Sequence, residues 1–202
     1  MKTSKQFWII ISVIISCSIL TTILNLYAFK ENLLESRKRE ITTILNFARN
    51  QSLIYVEKHK NGLLSREEAE NAIIKALSAM NEGSRYIWAN DNHAIARVHV
   101  RPEVLGKFQS SYIINMNLLK NKDTAFITET NVKPIIEKRV LKINGVTKIP
   151  DWNWVIGYGA YLDDIEEEFL DSAIKSILIN SLIITIILFV AMYLRRLQPY
   201  AE

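Results

Sequence analysis

The sequence predicts an α+β domain, a long N-terminal helix packed on a five-stranded antiparallel sheet, set between two transmembrane helices. Three observations carry this expectation. Phe7 to Phe29 is a 23-residue run without a charge, and Ile174 to Leu194 is a second apolar run, interrupted only by Lys175 near its start. Each can cross a hydrocarbon core about 30 Å thick at about 1.5 Å of rise per residue. Between the two runs the hydrophobic period is first 3.6 and then 2, and helices followed by strands is the order of an α+β fold. The expected segments are residues 1–6 as a cytoplasmic N-terminus, 7–29 and 172–194 as spans, 30–171 as an extracytoplasmic domain, and 195–202 as a cytoplasmic tail.

Charge placement narrows the function. Residues 30–171 hold 20 Lys/Arg and 20 Asp/Glu, so the net +4 of the chain comes from Lys2, Lys5, Lys175, Arg195 and Arg196 against Glu202. The basic residues flank the apolar runs, and a nucleic-acid partner is not expected. The one cysteine, Cys17, lies inside the first run and can form neither an intradomain disulfide nor a metal cluster. The first run is longer than a signal-peptide core and ends in the bulky Leu26-Tyr-Ala-Phe29, so it is expected to remain as an anchor. Arg195 and Arg196 favour a cytoplasmic C-terminus, which puts both termini inside and the domain in the periplasm of a bacterial inner membrane.

From Lys30 to about His59, Ile41, Ile44, Leu45, Ala48, Ser52 and Tyr55 recur in steps of three and four, one apolar stripe on a charged helix. Asn61-Gly62 stops it, and Ser65-Arg-Glu-Glu68 is a capping box that starts a second helix to about Met80. Ala69, Ala72, Ile73, Ala76 and Leu77 suit that helix for close packing on the first. Alternation over Arg85–Ala89 and Ala94–Arg101, with Asn90-Asp-Asn-His93 between, reads as a hairpin. A short helix over Ser110–Leu119 follows. Strands are expected over Thr124–Thr130, Glu137–Ile143 with a turn at Asn144-Gly145, and Trp152–Tyr161. Asp163, Asp164 and Glu166–Glu168 then open a final helix whose dipole favours acidic residues at its start.

The candidate ligand-binding residues are Tyr86, Trp88, Arg97, His99, Arg101 and Lys142. Arg97, His99 and Arg101 alternate on one strand face and would suit an anionic ligand, although a solvated, ion-paired face has the same pattern. Tyr86 and Trp88 share a face, and Trp152, Trp154, Tyr158 and Tyr161 crowd the last strand; polar-edged aromatics line pockets but also build cores. Lys142 points inward as a carboxylate partner or outward as a surface lysine. The three histidines, His59, His93 and His99, lack metal-site spacing, and no nucleophile elbow or phosphate loop occurs. No catalytic residue, cofactor or metal is expected, and the chain is not expected to be an enzyme.

Several of these residues recur in a known pattern. Arg85-Tyr-Ile-Trp88, His99 with Pro102-Glu-Val-Leu-Gly106, Lys142, and Pro150-Asp-Trp-Asn-Trp-Val-Ile-Gly-Tyr-Gly-Ala-Tyr-Leu-Asp-Asp-Ile165 resemble the single Cache family. These are PAS-like extracytoplasmic sensor domains of bacterial chemotaxis receptors, histidine kinases and membrane diguanylate cyclases. The resemblance implies a small carboxylate ligand on the sheet, with Tyr86 and Trp88 lining the pocket, His99 in the family's His-Pro step and Lys142 as the lysine before the tryptophans. Val100 in place of a proline and Gly145 in place of an aromatic depart from the pattern. The expected function is a membrane-anchored sensor that acts as a homodimer and signals through its second span to a chemotaxis or diguanylate cyclase output. A competing expectation is an accessory subunit that dimerises with a full-length receptor and binds no ligand.

Overall fold

The computed structural model describes residues 2–81, 83–134 and 136–197. Pro199 and Glu202 of the expected cytoplasmic tail lie outside these residues. The chain forms two compact units, one drawn from Met1–Leu34 and Glu166–Glu202, the other from Glu35–Ile165. Helix α1 (Lys2–Lys60) and helix α4 (Leu162–Leu197) each contribute to both.

In the first unit, both helices contain stretches long and apolar enough to cross a membrane. Ser18 donates its hydroxyl to Asn180 Oδ1 at 2.5 Å, and Phe29 stacks on Phe169 with centroids 6.3 Å apart. Cys17 is free and exposed.

The second unit is the α+β domain that the sequence predicts. Gly62, at φ +72°, adopts the left-handed conformation that ends a helix, and α1 stops just before it. Ser65 and Glu68 form the full capping box of α2 (Arg66–Ser78). Helix α2 buries Ala69, Ile73 and Leu77 and packs against β1 and β2 rather than lying along α1. The sheet is antiparallel throughout, in the order β2-β1-β5-β4-β3. Its strands are β1 (Ile87–Asn90), β2 (Ala96–Val98), β3 (Thr124–Lys133), β4 (Lys138–Ile149) and β5 (Trp154–Tyr161). Helix α3 (Ser111–Leu118) lies between β2 and β3 in sequence.

Two expectations are corrected. The second strand does not extend to Arg101; it ends at Val98 and leads to a 3₁₀ turn over Pro102–Val104. Pro102 lacks the N–H a ladder needs. The returning loop also occupies the edge: Ala96 N–H donates to the Lys107 carbonyl and Gly106 N–H to the Ala96 carbonyl. Nor does the chain turn at Asn144-Gly145, which lies mid-strand in β4. A Cβ on Gly145 would stand 2.4 Å from Ile41 Cγ2 and 2.9 Å from Leu45 Cδ1, so this glycine permits α1 to approach the sheet closely. Ile41, Leu45, Ala48, Ser52 and Val56 are the buried stripe of α1 on that side.

Candidate ligand-binding site

The face of the sheet turned away from α1 carries the site. Strand register sets its rows: Glu129 of β3, Lys142 of β4 and Tyr161 of β5 lie side by side, as do Ile127, Asn144 and Gly159 in the next row. Trp88 of β1 stands opposite Gly157 of β5. A Cβ on Gly157 would come within 2.0 Å of the Trp88 ring, so the indole lies flat across the strand only because position 157 has no side chain. Gly159 makes the same allowance for Asn144, whose Oδ1 would be 2.6 Å from an added Cβ. Tyr86, Trp88 and Asn90 thus form one wall, and Glu129, Asn131, Lys142 and Asn144 the floor. His99, Val104, Gln109 and Ser111, from the segment after β2, close the top. The enclosed space is about 80 Å³. At roughly 10–15 Å³ for each water-sized group, it takes a ligand of about five to eight heavy atoms.

Lys142 dominates the electrostatics. It is 1 % exposed, and its Nζ sits 4.0 Å from the centroid of the Tyr86 ring and 5.0 Å from that of Tyr161. Ring faces attract the ammonium but supply no anion. Burial pushes the lysine down to about 7, opposed only by the charge of Glu129. Glu129 is held elsewhere, accepting from Asn144 Nδ2 at 3.0 Å. Asn144 Oδ1 is buried without a hydrogen-bond donor.

His99 meets the Tyr86 ring edge to face at 5.1 Å. Its Nδ1 accepts the Arg101 backbone N–H at 3.0 Å, which puts the proton of the neutral ring on Nε2. Burial, with the charges of Arg101 and Lys142, pushes this histidine down to about 4. It is therefore a neutral donor at physiological pH. Tyr161 donates its hydroxyl to the Val132 carbonyl at 3.0 Å, and burial raises its pKa.

The structure brings Tyr86, Trp88, His99 and Lys142 together around this cavity. Arg97 and Arg101 are not among its walls. Arg97 lies over Trp154 and pairs with Asp91 at 3.5 Å and Glu70 at 3.6 Å. Arg101 Nε approaches Glu103 at 3.6 Å, beside a separate surface groove. The face that these two residues share with His99 in the sequence does not form, because β2 ends before His99. Trp152 and Trp154 are core: Arg66 stacks 3.5 Å above Trp152, and Trp154 is fully buried. Glu129, Asn131 and Asn144 are site residues that the sequence reading missed. Their spacing of two in β3, and of two from Lys142 in β4, was the available signal. Among the described residues, no group of three or more His, Cys, Asp or Glu side chains is placed to hold a metal.

A Cache domain family model (dCache_2) matches residues 18–181. Methyl-accepting chemotaxis protein McpP of Pseudomonas putida is 23% identical over 180 residues, covering 84% of this chain and 33% of that protein. The chain thus spans about a third of the length of that curated relative. Among solved structures, a periplasmic sensor domain of a chemotaxis protein matches with TM-score 0.59 and 26% identity, covering 63% of this chain and 96% of that one. A Cache chemosensory domain described for its recognition of carboxylic acids matches with TM-score 0.58 and 21% identity, covering 65% and 97%.

Proposed function

The chain belongs to the Cache domain family, and from that premise we propose that it is the sensing part of a bacterial receptor that binds a small carboxylate-bearing ligand in the Lys142 cavity. The observation that carries this reading is Lys142 itself. A fully buried lysine with no carboxylate partner carries a large desolvation cost, which a ligand carboxylate would offset. His99 Nε2–H supplies a second donor without adding charge. The neighbour described for carboxylic acid recognition fits the same chemistry.

Signal would leave the cavity through a short relay. Tyr161 touches Lys142 with its ring and the Val132 carbonyl with its hydroxyl. The next residue of β3, Lys133, holds Asp163 at 3.0 Å and Asp164 at 2.6 Å, both in the first turn of α4. A ligand that draws Lys142 off the Tyr161 ring would change the seating of this turn, and α4 continues without a break to Leu197. Differential affinity for two seatings is what any ligand-driven switch requires.

In this reading α1 and α4 each cross the inner membrane, with the domain outside, both termini inside, and a homodimer as the working unit. The chain catalyses no reaction of its own. Similarity to a methyl-accepting chemotaxis protein favours a chemotaxis output over a diguanylate cyclase. The test is calorimetric titration of the whole chain in lipid nanodiscs with short carboxylates and small amino acids. Saturable binding that disappears in Lys142→Met and weakens in His99→Ala supports the assignment; no binding, or binding unchanged in Lys142→Met, defeats it.

A further inference from the structure

Glu129 and Lys142 are directly opposite each other on neighbouring antiparallel strands, and their side chains emerge on one face of the sheet. Opposite charges at such positions ordinarily pair. Here they do not: Lys142 turns onto two tyrosine rings, while Glu129 takes the Asn144 amide. Both line the same cavity, each with unused capacity, and so does Asn144 Oδ1, buried without a donor. The amide's orientation follows from Glu129, because a carboxylate oxygen accepts only from the N–H side.

We infer that the ligand of this cavity is a small zwitterion, a carboxylate carrying a protonated amine a few bonds away, and that Glu129 is the residue that selects it. The inference rests on the carboxylate reading above and sharpens it. A plain carboxylate offers only acceptors, so it meets Lys142 and His99 but leaves Asn144 Oδ1 unsatisfied and sets its own charge beside Glu129. An ammonium group supplies donors to both Glu129 and Asn144 Oδ1. Charge balance points the same way. The cavity holds one cationic and one anionic side chain, so a monoanion leaves a net buried charge, whereas a zwitterion leaves none. The space of about 80 Å³ admits molecules the size of glycine, alanine or β-alanine and excludes long side chains.

The deciding experiment is isothermal titration of the whole chain in nanodiscs at pH 6.5 with glycine, L-alanine and β-alanine against acetate, propionate and L-lactate. Lactate is the decisive control, being alanine with a hydroxyl in place of the ammonium. At least one amino acid is expected to bind ten times or more tightly than lactate and propionate. Glu129→Gln keeps an acceptor for Asn144 and should weaken amino acids tenfold or more while leaving lactate and propionate equal or tighter. If lactate or propionate binds as tightly as the amino acids, or Glu129→Gln weakens both classes alike, the inference fails. The wild-type ranking decides the matter even for a variant that folds poorly. Lys142-dependent binding of plain carboxylates alone would sink this inference and leave the proposed function standing. Absence of binding by every compound would remove both.

Discussion

Lys142 is a residue whose position costs stability. Its pKa falls from 10.5 in the unfolded chain to about 7 in the folded one. The unfolded state therefore binds the extra proton across that interval, and the penalty is complete below about pH 7 and relieved as pH rises toward 10.5. At full protonation it is on the order of 5 kcal/mol, partly offset by up to about 2 kcal/mol of attraction to the tyrosine rings. Lys142→Met should therefore raise the stability of the ligand-free chain by about 1–3 kcal/mol at pH 6, with a gain that shrinks toward zero near pH 10. Denaturant melts followed by tryptophan emission measure this, and a loss of stability at pH 6 would contradict it. His99 acts in the acid range. Its folded pKa of about 4 lies below the ordinary 6.5, so its contribution is present above about 6.5 and is lost as pH falls toward 4. The stability difference between wild type and His99→Gln should therefore shrink by roughly 2–3 kcal/mol from pH 7 to 4, in the same melts.

At the scale of elements, periodicity shows clearly where one side chain decides and poorly where two segments meet. The capping box at Ser65–Glu68, the stop at Gly62 and the acidic opening of α4 are local chemistry, and each is legible in the sequence and present in the fold. Gly145 is the contrary case. Beside an asparagine it has the composition of a turn, yet it serves a helix about a hundred residues away, and no local window contains Ile41. Glu129 escaped notice for a related reason: its meaning depends on the β3–β4 register, which is a pairing of two strands. Gly145→Ala should cost about 1–3 kcal/mol, because Ile41 and Leu45 must both move to admit the methyl group. A thermal melt checks this, and an unchanged melting temperature would show that α1 yields freely. The relay is testable separately. Hydrogen exchange on the whole chain in nanodiscs should show ligand protection in β4, β5 and the first turn of α4. Lys133→Ala should retain the first two and lose the third, with ligand affinity changed less than threefold.

For the molecule as a whole, a ligand of a few heavy atoms must move an equilibrium. To reverse a hundredfold preference for the unliganded seating, it must bind the other state about ten-thousandfold more tightly. A cavity this small achieves such discrimination through charge rather than area, since few apolar contacts are available to a molecule of about six heavy atoms. Much of the affinity then derives from a cation that the apo protein buries without an anion. Low polar complementarity in the free state and strong response in the bound state have the same origin.

The bare strand beneath Trp88 has a consequence of another kind. Gly157 is the berth in which the indole lies, and a side chain there would evict it toward the cavity it now borders. Gly157→Val should accordingly yield a receptor plugged by its own tryptophan, deaf to added ligand and fixed in one output state whatever the medium contains. Loss of all ligand heat in titration, with a constant and ligand-independent tumbling bias in cells carrying the variant on a chemotaxis signalling domain, would identify it. Retained ligand heat in that variant would show that the indole finds room elsewhere.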